Sequence, residues 1–244
     1  MKPFLILQLR PEDEAADGEF HAILEKGGLS ASRVHRIRLE RDGLPNGLDL
    51  NAYAGVVVGG GPGCVSDAPA DKTPDEARAE AAMLSLMPEI TSRDIPFMGC
   101  CYGIGILAHH LGGDVSKARY GEPVGPVLCE LTDEGARDPL LEGLPRGFHA
   151  LVGHKEAVQN LPPGTVHLMS STPCPFQMIR YGQRVYATQF HPEADGDVFA
   201  ERIRIYKDRG YFPPAQADTL TKAVYATDVS TPPDILNRFF RLFG

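Results

Sequence analysis

Three things are scarce in this 244-residue chain: basic excess, cysteine and long apolar runs. Lys and Arg number 24 against 32 Asp and Glu, a formal net charge of -8. Without surplus cations to neutralise phosphates, nucleic acid is excluded as the main partner. The apolar run Phe4 to Leu9 is too short for a signal peptide or a membrane helix and reads as a first buried strand. No later run approaches membrane length, so no membrane partner and a cytoplasmic location are expected. The cysteines, Cys64, Cys100, Cys101, Cys129 and Cys174, are odd in number, and their spacing suits neither a disulfide framework nor a zinc knuckle. Most are expected to be small buried thiols, and no metal site is expected. Internal repeats, low-complexity segments and clear linkers are also missing.

What is present alternates. Phe4 to Leu9, Val34 to Leu39, Tyr53 to Val58 and Pro96 to Cys100 read as strands. Between them Glu19 to Lys26, ended by Gly27-Gly28, and Pro74 to Ile90 read as helices. Strand and helix in alternation predict an α/β fold, a parallel sheet with helices on both faces. Residues 115 to 190 change character, with short β-like runs at Val124 to Leu131, Phe148 to Val152, Val166 to Ser170, Phe176 to Tyr181 and Arg184 to Gln189. Helices follow at Asp195 to Asp208, 215–226 and 233–243, punctuated by Pro213-Pro214 and Pro232-Pro233. The simplest organisation is one domain over 1–210 with a C-terminal helical extension over 211–244.

One pentapeptide stands out, Gly99-Cys100-Cys101-Tyr102-Gly103, between the strand ending at Cys100 and a helix through Ile104 to Leu111. Glycines two before and two after a strand-to-helix turn mark a nucleophile elbow, here centred on Cys101. The following helix starts at the sulfur, a position that favours a thiolate. Cys100 faces the other way and is expected in the sheet–helix interface. A cysteine nucleophile needs a base and an orienter. Gln189-Phe190-His191-Pro192-Glu193 supplies both: His191 and Glu193 are two apart on a segment that Pro192 keeps extended, so Glu193 can hold the imidazole tautomer. The loop Gly59-Gly60-Gly61-Pro62-Gly63 lacks the lysine of a phosphate-binding loop and is better suited to presenting a backbone N–H to an oxyanion, with the Tyr102 N–H as second donor.

The Gly60-Gly61-Pro62 loop, the Ile95 to Gly103 elbow and the Gln189 to Glu193 string, in that order, resemble class I glutamine amidotransferases over about residues 53 to 194. The resemblance implies a three-layer, flavodoxin-like, mostly parallel α/β sheet. It also implies that Cys101 attacks a glutamine-type side-chain amide to form a γ-glutamyl thioester, that His191 oriented by Glu193 moves protons, and that Gly61 and Tyr102 form the oxyanion hole. Gly60, Gly105, His154 and Gln189 would line the substrate site, and the chemistry calls for no cofactor. Two departures matter. The family often has glutamine four residues after the nucleophile, where this chain has Gly105, which puts the preference for free glutamine in question. The remaining residues are also too few for a fused synthase domain. The resemblance therefore points to stand-alone members, γ-glutamyl peptidases and proteins like the amidotransferase part of GMP synthetase, with a small-molecule substrate and a separate synthetase or acceptor subunit as a partner.

Other readings compete. A catalytically idle, regulatory relative is opposed by the intact Cys101, His191 and Glu193 and favoured by Gly105. A DJ-1-like or PfpI-like cysteine hydrolase is opposed by Tyr102, where that group usually has histidine. His109 and His110 read as packing or solvent-facing residues. The basic cluster Arg33, His35, Arg36, Arg38 and Arg41 and the acidic runs Glu12-Asp13-Glu14 and Asp75-Glu76 read as solvated faces.

Overall fold

The computed structural model describes residues 1–244. The first half builds β1 (Phe4–Gln8), α1 (Asp13–Gly27), β2 (Val34–Arg38), the short α2 (Leu39–Asp42), β3 (Val56–Val58), α3 (Pro74–Ser92), β4 (Phe97–Cys100) and α4 (Tyr102–His110). The second half adds β5 (Val115–Ser116), β6 (Glu122–Leu131), α5 (Asp133–Arg137), β7 (Gly147–His154), β8 (Ala157–Val158), β9 (Thr165–Ser171), β10 (Met178–Tyr181) and β11 (Val185–Thr188). Three helices close the chain: α6 (Gly196–Tyr206), α7 (Ala217–Ala226) and α8 (Pro232–Phe243). No helix is long and apolar enough to cross a membrane.

Nine strands form one mixed sheet in the order β2-β1-β3-β4-β11-β10-β9-β6-β7. Its core, β2 through β11, is parallel, and the side from β10 to β7 continues it antiparallel. Helices cover both faces, so the parallel strands are apolar on both sides rather than alternating. Leu5 and Leu7 of β1 pack towards Met83, Met87 and Ile104, while Phe4 and Ile6 pack towards Ile23, Phe239 and Phe240. The α8 helix thus completes one face of the core, with the Phe240 ring 4.7 Å from that of Phe4. A third apolar cluster joins Leu151 of β7 to Phe199 and Ile203 of α6, Phe212, and Val224 of α7.

Helix starts follow the local chemistry. Thr73 and Glu76 form a reciprocal capping box at α3, with Pro74 in the first turn. The α1 helix begins at Asp13, a turn and a half before Glu19, because no breaker intervenes and Asp13 and Glu14 suit a first turn. The strand expected from Tyr53 starts at Val56, since Leu50–Ala52 close a 3-10 turn capped by Asp49.

The basic and acidic clusters are not simply solvated. Arg38 is buried, donating to Glu40, Asp13 and the Arg10 carbonyl. Glu12 is part-buried and accepts from the Tyr206 hydroxyl, and Asp13 from Arg38. Alternation along a strand shows which side chains share a face, but not that α1 lies close enough to cover that face.

Candidate active site

Sheet order explains why three distant motifs meet. β4 lies between β3 and β11, both parallel to it, with Val58 beside Gly99 and Thr188 beside Cys100. The segments after these three strands therefore leave the sheet side by side at its carboxyl end, where sites in open α/β sheets gather. They are the glycine loop 59–63, the elbow and the 189–193 string.

The elbow is tight. Cys101 has φ 54° and ψ -92°, a backbone that L-residues seldom adopt, and its N–H donates to the Thr188 carbonyl at 2.7 Å. A Cβ on Gly99 would lie 3.0 Å from Gly103, so the two glycines exist because the turn brings their backbones together. Cys100 points into the core beside Met98 and Phe190, and burial pushes its thiol far up. Cys101 faces the site. Its surroundings do not favour a resting thiolate: burial pushes the thiol up to about 12, Arg10 pulls it down less, and Glu193 adds to the rise. Attack by a thiol so held would require a base.

His191 fits that need. Its Nδ1 donates to Glu193 Oε1 at 2.8 Å, which fixes the tautomer and leaves Nε2 without a protein partner. Burial lowers the imidazole pKa below its ordinary value, Arg202 lowers it further, and Glu193 opposes both, so the ring rests neutral. Burial alone would raise the Glu193 carboxyl, but His191 and then Arg202 overcome it and hold it far below the usual carboxylate range. Arg202 NH2 donates to Glu193 Oε1 at 2.8 Å, whereas Glu193 Oε2 has no donor.

A residue that sequence reasoning passed over supports this end of the site. Glu19 of α1 is fully buried and accepts from Arg10 Nε at 2.7 Å, the Gly60 N–H at 3.1 Å and Gln8 Nε2 at 3.1 Å. One carboxylate so ties α1, the end of β1 and the glycine loop together. The Gly60 N–H is thereby spoken for, and Gly60, expected to line the substrate site, lines neither cavity at Cys101. A Cβ there would lie 2.6 Å from the His191 ring. The Gly61 N–H has no protein acceptor, and Tyr102 is the first residue of α4, where the N–H has no partner within the helix. Gly61 lines both cavities, next to Cys101.

The two cavities meet at Cys101. One is lined by Tyr102, Gly105, His154, Glu156 and Gln189. The other is lined by His191, Arg10, Arg202 and aromatic residues. Tyr211, from the 211–244 extension, borders both; its hydroxyl donates to the Pro62 carbonyl at 3.1 Å, and Lys155 Nζ sits 4.3 Å from its ring centre. Nothing in the local sequence of Tyr211 marks it as a site residue.

Gly105 has a structural counterpart. A Cβ there would lie 2.9 Å from Glu156 Oε1. The Glu156 carboxylate accepts from the Val65 N–H, the Ser66 N–H and the Ser66 hydroxyl at 2.7 to 2.9 Å. This chain therefore places a carboxylate beside the position where a longer side chain would emerge. The signal available in the sequence was the adjacent string His154-Lys155-Glu156.

His154 lines the cavity with both nitrogens engaged, Nδ1 with the Glu156 carbonyl at 2.8 Å and Nε2 with Glu122 Oε2 at 2.7 Å. Glu122 also accepts from Gln177 and Ser171. Glu122, His154 and Cys174 are close enough to group around a metal ion. Glu122 and His154 are instead tied into a hydrogen-bonded network with Gln177 and Ser171, so His154 has no free nitrogen, and burial, then Glu122, pushes the Cys174 thiol up to about 12.

The chain and its fold have relatives. A family model described as glutamine amidotransferase class-I matches residues 20–204. GMP synthase (glutamine-hydrolyzing) of Thermosipho melanesiensis is 32% identical over 155 residues, 63% of this chain and 26% of that protein. The enzyme of the same name from Aeropyrum pernix is 36% identical over 148 residues, 60% of this chain and 25% of that protein. The chain thus spans about a quarter of the length of these curated relatives. A solved glutamine amidotransferase from Thermotoga maritima superposes with a TM-score of 0.75 at 20% identity, covering 99% of this chain and 97% of that one. A glutamine amidotransferase from Methylobacillus flagellatus superposes with a TM-score of 0.76 at 21% identity, covering 100% and 94%.

Proposed function

This chain belongs to the class I glutamine amidotransferase family, and from that premise we propose that it cleaves a γ-glutamyl amide through a thioester on Cys101, releasing ammonia or an amine. The observation that carries the proposal is a single cavity bordered by the Cys101 elbow, the free Gly61 N–H and the open Nε2 edge of a His191 whose Nδ1 is held by Glu193. In this mechanism His191 Nε2 takes the thiol proton as sulfur attacks the amide carbon. The Gly61 and Tyr102 N–H groups receive the developing oxyanion, a contribution of about 10²–10³ in rate for each well-placed donor. His191 returns the proton to the leaving nitrogen, and water resolves the thioester by the reverse sequence. Glu193, ionised and paired with Arg202, holds the ring in one orientation throughout. Gly105, His154 and Gln189 border the cavity opposite His191, where the glutamyl part would lie, with the Glu156 carboxylate among them.

Incubation with a diazo-ketone glutamine analogue tests this reading. Mass spectrometry is expected to find one adduct per chain, on the peptide containing Cys101. An unmodified protein, or an adduct on Cys64 or Cys100 instead, contradicts it. The match to one stretch of full-length GMP synthases supports a second arrangement, in which ammonia passes to a separate synthetase subunit. It would appear as glutamine turnover stimulated by that subunit.

The pH profile follows from the two shifts. The reaction needs neutral His191, whose pKa burial lowers, so the acid limb of kcat/KM is expected below 6.5. The Cys101 thiol ionises only towards about 12, so no second rise is expected between pH 7 and 9. An acid limb above 7 in the rate of glutamate release would show that a different group, or a pre-formed thiolate pair, governs attack.

A further inference from the structure

We propose that Tyr211 is a positioning residue of the oxyanion hole: its hydroxyl anchors the Pro62 carbonyl and so keeps the neighbouring Gly61 N–H aimed at the oxyanion. The inference rests on the amide-cleavage reading above and adds a residue from outside its three motifs.

The loop needs holding. In Gly59-Gly60-Gly61-Pro62-Gly63 only Pro62 carries a side chain, and glycine backbone adopts positive φ about as readily as negative. An oxyanion donor is effective when its direction is set before the charge develops. Two contacts flank Gly61. Upstream, the Gly60 N–H donates to Glu19 Oε2 at 3.1 Å. Downstream, the Tyr211 hydroxyl donates to the Pro62 carbonyl at 3.1 Å, and the proline ring fixes φ between that carbonyl and Gly61. Residues 61–63 make no other hydrogen bond within the protein. The downstream half of the loop therefore hangs on Tyr211 alone.

Tyr211 is itself held. Its ring centre lies 5.8 Å from that of Tyr206 in α6, and Lys155 Nζ sits 4.3 Å from it. The next residue, Phe212, is buried with Phe199 and Ile203. Burial, and then the Cys101 sulfur, push the Tyr211 hydroxyl far above its ordinary pKa, so it stays a donor. Tyr211 borders both cavities that meet at Cys101, which puts this bond beside the reacting atoms.

Tyr211→Phe tests the role, because it removes one oxygen and keeps the ring that packs on Tyr206. Thermal unfolding is expected to be unchanged. With glutamine and glutamine hydroxamate as substrates, kcat is expected to fall by about ten- to a hundredfold with KM within about threefold, since a misaimed donor is missed in the transition state and not in the ground state. Tyr225→Phe, which removes a surface hydroxyl bonded to Asp197, is expected to leave both constants unchanged.

Labelling of Cys101 gives a readout that does not depend on turnover. Iodoacetamide alkylates sulfur with no carbonyl under attack, whereas the diazo-ketone glutamine analogue presents its ketone oxygen to the oxyanion donors. Tyr211→Phe is expected to slow only the second reaction, by about tenfold or more. Equal slowing of both reagents shows a change of access or packing and overturns the proposal, as do unchanged rates with both. A raised KM with kcat preserved assigns Tyr211 to substrate binding and overturns it too. If the unaltered protein is labelled by the analogue but cleaves neither substrate, the labelling comparison decides. If Cys101 of the unaltered protein is not labelled and neither substrate is cleaved, amide cleavage itself fails, and the role of Tyr211 falls with it.

Discussion

Cys101→Ser is expected to lower glutamate release from the best γ-glutamyl substrate by at least about 10³-fold, with the fold unchanged. Loss of a nucleophile that acts as a unit with its base typically removes most of the enzyme's rate, leaving only what binding and the oxyanion donors supply. Serine preserves size and the elbow backbone, so near-native thermal unfolding alongside lost turnover separates chemistry from stability. The paired control is Cys100→Ser. Cys100 is 1% exposed and packs beside Met98 and Phe190, away from the cavities, so turnover is expected to persist. A Cys101→Ser protein that still releases glutamate would remove the thioester from the mechanism. A Cys100→Ser protein that alone loses it would shift the nucleophile by one residue.

Glu19→Ala is expected to destabilise the protein by about 3–5 kcal/mol, because deleting one partner strands the other charge in the interior. In a domain of this size that corresponds to a fall in Tm of roughly 6–20 °C. The cause is specific. Glu19 is fully buried, with Arg10 at 2.7 Å and Arg202 at 3.6 Å, and it also accepts the Gly60 N–H. Glu14→Ala, five residues earlier on the same helix, removes a half-exposed pair with Arg204 and is expected to change stability by less than about 1 kcal/mol. Differential scanning calorimetry of the two variants decides. Equal Tm values would mean that the interior relaxes or admits water around Arg10, and the organising role given to Glu19 would be withdrawn.

The elbow backbone at Cys101 and the surroundings of Glu19 mark what a sequence makes legible and what it hides. Cys101 was legible because an elbow needs glycine at fixed offsets, and those offsets lie within five residues. His191 and Glu193 were legible because a proline between them restricts the backbone locally. Most strands and helices were legible for the same reason, since apolar period and breakers act over one or two turns. Their ends were less so: Tyr53 caps a 3-10 turn instead of starting β3, and α1 extends back to Asp13.

Glu19 was not legible. It sits on a helix among other acidic residues, and nothing within a turn of it says that Arg10, Gly60 and Arg202 converge on it. Arg38 was misread as solvated for the converse reason, since its partners Asp13 and Glu40 lie on neighbouring elements. Glu156 beside Gly105 and Tyr211 over both cavities are further cases, brought together across 51 and 149 residues of chain in their contacts with Gly105 and Pro62.

By itself, then, the sequence determined the local devices: the alternating elements, the strained elbow under Cys101, the extended His191–Glu193 pair and the glycine loop. Each depends on backbone preferences and spacings that a few neighbouring residues impose. Only the tertiary structure decided the surroundings. It set Glu19 between two arginines, left Arg202 Nε and NH1 buried without partners, and pushed the Cys101 thiol pKa up by burying it. Burial and long-range pairing depend on which elements the sheet order places side by side, and β4 between β3 and β11 is a global outcome that no short window of residues contains.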